Sequence, residues 1–105
     1  MPKRGEVWQV DFGITAKVRP ALVISVPYED NDRALIGVIP HTTATRDSQF
    51  EVVIPTRFLD EGAFLVQGLQ ALPPKYFLRR LGVLTAEQVQ AVENCLLGWL
   101  GVSMY

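Results

Sequence analysis

The sequence has one cysteine, Cys95, and one histidine, His41, among its 105 residues. A single cysteine cannot form a disulfide within the chain, and no second cysteine or histidine lies near it at the spacing of a metal site. No apolar run approaches the roughly 18 residues that span a bilayer, and the charged N-terminus lacks the apolar core of a signal peptide. We therefore expect a cytoplasmic protein with no membrane segment, no bound metal and no cofactor.

An excess of charge of one sign is also missing. Ten basic and eleven acidic side chains give a net charge of −1, whereas proteins that bind nucleic acid through phosphate contacts usually have a basic surface. The local charge differs from this average, because four basic side chains, including Lys17 and Arg19, face only two acidic ones in the first nineteen residues. The composition argues against a long electrostatic groove but leaves room for a short RNA contact.

The sequence predicts one α+β domain over residues 1–105. Its 49% apolar and 20% charged content is typical of a folded globular chain. Alternating or short apolar segments, which are typical of strands, predict strands at 6–12, 20–25, 35–39, 50–54 and 63–67. Residues 69–72 can continue the fifth strand past Gly68, 76–84 is ambiguous, and 81–84 is a candidate edge strand.

The clearest helix is the last element. Thr85 is a predicted N-cap with Gln88 three positions later, which is the pattern of a capping box. An apolar stripe at helical spacing follows, formed by Val89, Val92, Leu96, Trp99 and Leu100. Short strands with frequent turns, closed by one helix, predict a small, strongly bent antiparallel sheet or partial barrel.

Two apolar runs, 18–25 and 35–43, carry polar side chains at one end each. Arg19 stands where the first run begins, and Thr42 stands where the second run stops. If the two strands pair antiparallel, the start of one lies beside the end of the other. The sequence therefore predicts a guanidinium facing a hydroxyl at one edge of the sheet, with both side chains open to a substrate.

The chemistry of these residue types suits a phosphate. Arg19 has a permanent charge and a planar donor fork, so it can stabilise charge but is a poor base. Thr42 can hydrogen-bond to a phosphate, whereas Thr43 could equally stabilise a loop. His41 is a candidate acid or base because its pKa lies near neutrality. Neighbours in an extended segment point to opposite faces, however, which favours a His41 that faces away from Thr42.

Four segments and one side chain resemble a known family, the MazF/PemK-type toxins. Residues 3–12 (KRGEVWQVDF) are similar to the family's opening "RGEIWxVDF" strand, and residues 19–25 (RPALVIS) resemble its "RPALVLS" strand. Residues 40–43 (PHTT) lie where the family shows "P-x-T-T", residues 50–52 (FEV) are similar to its "FEV" strand, and Gln67 lies where it has a glutamine. The resemblance covers nearly the whole chain in order.

The resemblance implies an SH3-like partial barrel with a C-terminal helix and a metal-independent, ribosome-independent endoribonuclease. Such enzymes cleave single-stranded RNA at short sequences, form homodimers and are inhibited by a cognate antitoxin. The family's catalytic arginine and threonine fall on Arg19 and Thr42, and we take Lys17, Thr43 and Gln67 as candidates for RNA binding. The implied reaction is attack by the RNA 2′-OH on the neighbouring phosphorus, which leaves a 2′,3′-cyclic phosphate and a 5′-OH.

The sequence departs from the family between its first two strands. Members often carry a longer glycine-rich loop with a glutamate there, but residues 13–18 (GITAKV) are short and contain no acid. This difference keeps two alternatives open. One is a catalytically weak or inactive binding module of the same fold, and the other is a toxin of related fold that poisons a DNA topoisomerase.

Overall fold

The computed structural model describes residues 1–13 and 17–102. In this part of the chain, seven short strands precede a single α-helix. They are β1 (Glu6–Asp11), β2 (Val18–Val23), β3 (Ile36–Thr42), β4 (Glu51–Val52), β5 (Ala63–Leu65), β6 (Gln70–Leu72), β7 (Phe77–Val83) and α1 (Ala86–Trp99). Two 3-10 helices, Val66–Gly68 and Pro74–Tyr76, flank β6. No helix within the described ranges is long and apolar enough to cross a membrane.

The strands form one antiparallel sheet that does not close into a complete barrel. Their order is β4-β5-β3-β2-β1-β7, and β6 pairs with β3 beside β5. Each of these pairs of neighbouring strands runs antiparallel. The prediction of an α+β fold with a bent antiparallel sheet and a C-terminal helix is confirmed.

The central strands β2 and β3 are buried on both faces, as their continuous apolar runs predicted. Leu22 and Ile39 belong to a core that also includes residues of α1, and both are completely buried. Ala21 and Val38 point to a second core on the opposite side of the sheet. A strand that is buried on both faces needs apolar side chains at successive positions. This requirement explains the continuous apolar runs of β2 and β3.

Helix α1 begins at the predicted capping box. The Gln88 backbone N–H donates to Thr85 Oγ1 at 3.1 Å, and the Thr85 N–H donates to Gln88 Oε1 at 2.9 Å. Three members of the predicted apolar stripe, Val89, Val92 and Leu96, are buried against the sheet. Trp99 and Leu100 instead leave 37% and 54% of their surface exposed, because the helix extends past the edge of the core.

Several strands differ in extent from the prediction. β2 is Val18–Val23 and not 20–25, and β3 is Ile36–Thr42, so that it extends beyond the predicted 35–39. The fourth strand is only Glu51–Val52, and the fifth ends at Leu65, where the chain enters the 3-10 helix Val66–Gly68. The 3-10 helix packs closely on β3, since a Cβ on Gly68 would lie 2.6 Å from Cγ of Pro40. The ambiguous segment before α1 forms a full edge strand, because β7 pairs with β1 over its whole length rather than only at 81–84.

Candidate active site

The register of β2 against β3 places the two predicted catalytic side chains across from each other. Ala21 pairs with Pro40, and Leu22 pairs with Ile39. Continuing this register by two residues toward the start of β2 sets Arg19 opposite Thr42. The predicted antiparallel pairing is therefore confirmed, whereas the roles of the two side chains remain predictions.

A proline ends the ladder just before this point. Alternate residues of β2 donate to β3, as Ile24 does to the carbonyl of Gly37 at 2.9 Å. Pro20 has the same phase as Ile24, but it has no N–H to donate. It is the third residue of β2, opposite Gln9 of β1, and not the first residue of the strand as its sequence context predicts. The missing donor explains why pairing with β3 begins only at Ala21.

The strand ends beyond the ladder enclose a cavity of about 320 Å³. Its lining comes from the first residues of β2 and from the end of β3 with the loop that follows, and consists of Lys17, Val18, Arg19, Pro20, His41, Thr42, Thr43 and Ala44. Five of the six predicted site residues thus meet at one cavity. The sixth, Gln67, is exposed on the 3-10 helix after β5 and does not line it.

Thr42 is more buried than the sequence predicts. Only 8% of its surface is exposed, and its Oγ1 accepts a hydrogen bond from the Ala44 backbone N–H at 3.0 Å. A hydroxyl has one proton to donate and two lone pairs. The contact with Ala44 uses one lone pair and fixes the oxygen, which leaves the proton available for a ligand in the cavity.

The opposite wall of the cavity carries positive charge. Arg19 is exposed and pairs through its backbone with Val10 of β1. Lys17 has a left-handed backbone with φ of 61°, and its carbonyl accepts from the Phe12 N–H at 3.0 Å. Residues 14–16 of the shortened loop lie outside the described residues. The two cations and the Thr42 hydroxyl make this end of the cavity suitable for an anion.

His41 lies against the core. Its exposed fraction is 4%, and its ring meets Phe64 edge-on with 5.0 Å between centroids. Phe64 and Ile39 belong to the core that contacts α1, so the imidazole follows the face of Ile39, as expected for residues two apart on a strand. Burial lowers the pKa of His41, while the negative charge of Asp60 opposes that shift. The imidazole is therefore neutral at pH 7.

Comparison with known proteins shows which family has this arrangement. The family model of PemK-like, MazF-like toxins of type II toxin–antitoxin systems matches residues 3–100. The chain belongs to this family. A MazE–MazF crystal structure from Deinococcus radiodurans is 26% identical with a TM-score of 0.79, and the likeness covers 97% of each chain.

Two mycobacterial structures share the fold of this PemK/MazF-like toxin. One is an endoribonuclease in complex with its cognate antitoxin, with 21% identity, a TM-score of 0.84 and complete coverage of both chains. The other is the Mycobacterium tuberculosis toxin MazF-mt6, with 20% identity and a TM-score of 0.79 over 94% of this chain and 99% of that one. At these identities the likeness establishes the fold.

One part of the toxin's candidate site, the segment before β5, has little signal in the sequence. A Cβ on Gly62 would lie 2.1 Å from the carbonyl oxygen of Thr42 and 2.8 Å from Cε1 of His41. The backbone of this segment therefore packs directly on both predicted site residues, and Asp60 lies two residues earlier. The only local signal was a glycine immediately before an apolar strand, which is too common to indicate a site.

Besides the imidazole of His41, the polar side-chain groups at the toxin's cavity are a guanidinium, an ammonium and hydroxyls. Residues 1–13 and 17–102 contain no group of three or more His, Cys, Asp or Glu side chains able to hold a metal ion. The chemistry that these groups can supply is stabilisation of negative charge and hydrogen bonding to an oxyanion.

Proposed function

We propose that this toxin is a sequence-specific endoribonuclease that cleaves single-stranded RNA without a metal ion. The observation that carries the proposal is the register of β2 and β3, which sets Arg19 opposite Thr42 at the cavity. The reaction is attack of a ribose 2′-OH on the adjacent phosphorus with departure of the 5′-oxygen. Its products are a 2′,3′-cyclic phosphate and a 5′-OH.

Arg19 acts on the charge that develops in this reaction. The phosphorane carries more negative charge on its non-bridging oxygens than the phosphodiester does, and a guanidinium binds two such oxygens with parallel hydrogen bonds. Arg19 lies in β2 and not at the tip of a loop, so pairing with Val10 of β1 holds its backbone in place. Interactions that strengthen as charge develops lower the barrier, whereas equal binding of substrate and transition state does not.

Thr42 supplies a neutral hydrogen bond to the same phosphate. Because the Ala44 N–H already occupies one lone pair of Oγ1, the hydroxyl proton is directed away from that contact. Lys17 and Thr43, which line the same cavity, are the candidates for holding the RNA backbone. Gln67 does not line this cavity, and we propose that it contacts RNA outside it.

Proton transfer needs a base for the 2′-OH and an acid for the 5′-oxygen. Neither a guanidinium nor an unperturbed hydroxyl accepts a proton at pH 7. His41 remains the candidate, since its neutral imidazole can accept one. Its ring lies against Phe64 on the core side of β3, so the proton transfer requires a nitrogen to reach the cavity beside Thr42.

We also propose that a cognate antitoxin neutralises the toxin and that the toxin is a homodimer. Support for the antitoxin comes from the Deinococcus relative, whose structure is a MazE–MazF assembly. Support for the dimer comes from the exposed apolar end of α1, where Trp99, Leu100 and Val102 leave 37%, 54% and 49% of their surface uncovered.

The test is incubation of the purified toxin with a long single-stranded RNA in EDTA, followed by mapping of both new ends. We expect cuts at a short recurring sequence, with 2′,3′-cyclic phosphate and 5′-OH ends. Cleavage that stops in EDTA and returns with magnesium would contradict the proposal. Complete absence of cleavage would favour the inactive binding module, and inhibition of a purified topoisomerase would then favour the poison.

A further inference from the structure

A second cavity adjoins the candidate active site. Its volume is about 450 Å³, within the range of small-molecule sites, and Thr43 lines both cavities. Gly62, whose backbone packs on Thr42 and His41, also lines the second cavity. A single strand whose phosphate is held at Arg19 and Thr42 can therefore place a neighbouring nucleotide in this cavity.

The second cavity is lined by two carboxylates and by the hydroxyls of three threonines, Thr43, Thr45 and Thr56. Asp60 and Glu61 are exposed carboxylates on its wall, and an ionised carboxylate can only accept. Thr56 also lines it, and the Oγ1 of Thr56 is a buried atom with no hydrogen-bond partner in the structure. A buried polar atom without a partner is costly. Because this oxygen is itself buried, a ligand in the cavity reaches it only if the Thr56 side chain turns toward the cavity.

The remaining walls are apolar. Val53, Pro55 and Leu59 line the cavity, and Val53 leaves 67% of its surface exposed although it follows a strand. An apolar wall opposite acceptor groups matches the two aspects of a nucleobase, whose faces are apolar and whose edge carries hydrogen-bonding groups. Single-stranded RNA can present both, because its unstacked bases are available on their Watson–Crick edges.

We propose that this cavity binds one base next to the scissile phosphate and selects bases with an amino group over uracil. The proposal rests on the proposed function, since the base belongs to the RNA that the toxin cleaves. Cytosine, adenine and guanine each offer an amino donor to a carboxylate. Uracil offers one N–H between two carbonyl oxygens, and those oxygens would face Asp60 and Glu61.

The decisive measurement is kcat/KM for RNA oligonucleotides that differ only at the positions flanking the mapped cut. For the unchanged toxin we expect kcat/KM with an amino-bearing base to exceed kcat/KM with uracil at least about tenfold at one of these positions. This lies within the range that one good bidentate contact provides. Glu61→Gln and Asp60→Asn should each reduce that ratio, because an amide also donates and can accommodate a uracil carbonyl. An unchanged ratio in both variants overturns the proposal.

The matched control is Asp30→Asn, which removes one negative charge from the exposed loop at the opposite ends of β2 and β3. If the carboxylates acted only by repelling RNA, all three variants would raise kcat/KM alike for every base. Asp60 also influences the pKa of His41, so Glu61→Gln is the cleaner of the two variants. The ratio between bases, and not the rate itself, is the quantity compared.

Binding separates this inference from the proposed function. RNA of the same sequences, methylated at every 2′-oxygen, cannot be cleaved by 2′-OH attack, and its dissociation constants are measurable by fluorescence anisotropy. If the toxin does not cut RNA but binds amino-bearing bases more tightly, and Glu61→Gln removes that preference, the proposed function fails and the inference stands. Equal dissociation constants for all four bases overturn the inference, whether or not cleavage occurs.

Thr56→Val provides an independent readout. The change keeps the shape of the side chain and removes the unpartnered hydroxyl, so the folded protein should be no less stable to urea. The ratio between amino-bearing bases and uracil should nevertheless fall. A loss of stability with an unchanged ratio would show that the hydroxyl serves the fold and not the base, and would overturn its part in the site.

Discussion

Arg19 and Thr42 differ in how their surroundings hold them, and this affects what their removal does. Arg19 is exposed, whereas Thr42 is buried and holds the Ala44 N–H. Arg19→Ala should leave the fold intact. Thr42→Ala should lower the free energy of unfolding by about 1 kcal/mol, because the loop loses one hydrogen bond. The sequence alone predicts that both side chains are open to a substrate, and therefore that either change barely affects stability.

For activity, we expect the two losses to be coupled. Arg19→Ala should lower the cleavage rate at least about a hundredfold, the scale of one lost oxyanion donor. Thr42→Ala should cost less, since a neutral hydrogen bond is weaker than a charged one. Because both groups act on one phosphorane, the double variant should lose less than the product of the two single losses. Single-turnover rates measure this, and Thr42→Ser should recover most of the Thr42→Ala loss.

A near-normal rate for folded Arg19→Ala would contradict the assignment of this site. Arg19→Lys is the matched variant that keeps the charge and removes the planar fork. An intermediate rate for Arg19→Lys is expected if bidentate geometry contributes beyond charge.

His41 should make stability depend on pH. Burial lowers the pKa of His41 in the folded state, so the unfolded chain binds this proton first as the pH falls. The free energy of unfolding should therefore decrease as the pH drops from about 7.5 through the unfolded pKa, and this contribution should level off below the folded pKa. Urea midpoints of the toxin and of His41→Gln measure the difference, and the variant should lack this component.

The cleavage rate of His41→Gln decides its other role. A loss comparable to that of Arg19→Ala would assign proton transfer to His41. Cleavage close to that of the unchanged toxin would remove the histidine from the reaction.

At the scale of single elements, replacing either of two glycines by alanine should change stability in opposite directions. Gly62→Ala would place a Cβ 2.1 Å from the Thr42 carbonyl oxygen, so the segment before β5 must shift. Overpacking of this kind typically costs about 1–3 kcal/mol, and the displaced Thr42 should lower cleavage as well. Gly98 lies in α1 with nothing within 4 Å of a Cβ. Gly98→Ala should stabilise the toxin by up to about 1 kcal/mol.

Thermal unfolding and cleavage of both variants check this pair. A Gly62→Ala variant with unchanged stability and rate would contradict the close packing of its segment on Thr42. Gly98→Ala is the control for the general effect of adding a methyl group at a glycine.

At the scale of the whole molecule, the exposed apolar end of α1 predicts association. The sequence also predicts a contribution from Met104 and Tyr105, but these two lie outside the described residues. We expect light scattering at micromolar concentration to give the mass of a dimer. Leu100→Glu should weaken the dimer at least about tenfold, equivalent to about 1.4 kcal/mol, because a charge would be buried in the interface.

Leu78→Glu is the matched control for the dimer. Leu78 and Leu100 are each 54% exposed, but Leu78 lies on the edge strand β7 and not on the helix. If Leu78→Glu dissociates the dimer and Leu100→Glu does not, the interface lies at the edge strand. A monomer for the unchanged toxin would contradict the dimer itself.

Much of this toxin follows from its sequence because the determining interactions are local or strictly periodic. The capping box at Thr85 and Gln88 needs only neighbours along the chain, and strands buried on both faces must be continuously apolar. The position of Arg19 near Thr42 also follows once two short strands pair antiparallel, because the start of one strand then lies beside the end of the other. The family match rests on the same ordered segments.

Only the tertiary structure decided the features that depend on contacts between distant segments. Thr42 is buried, Gln67 does not line the cavity, and β5 is followed by a 3-10 helix whose Gly68 packs closely on Pro40. The packing of Gly62 on Thr42 joins two cavities through Thr43. Sequence patterns describe which face of an element is apolar, but close approaches between residues twenty or more positions apart depend on how all the elements fill space together.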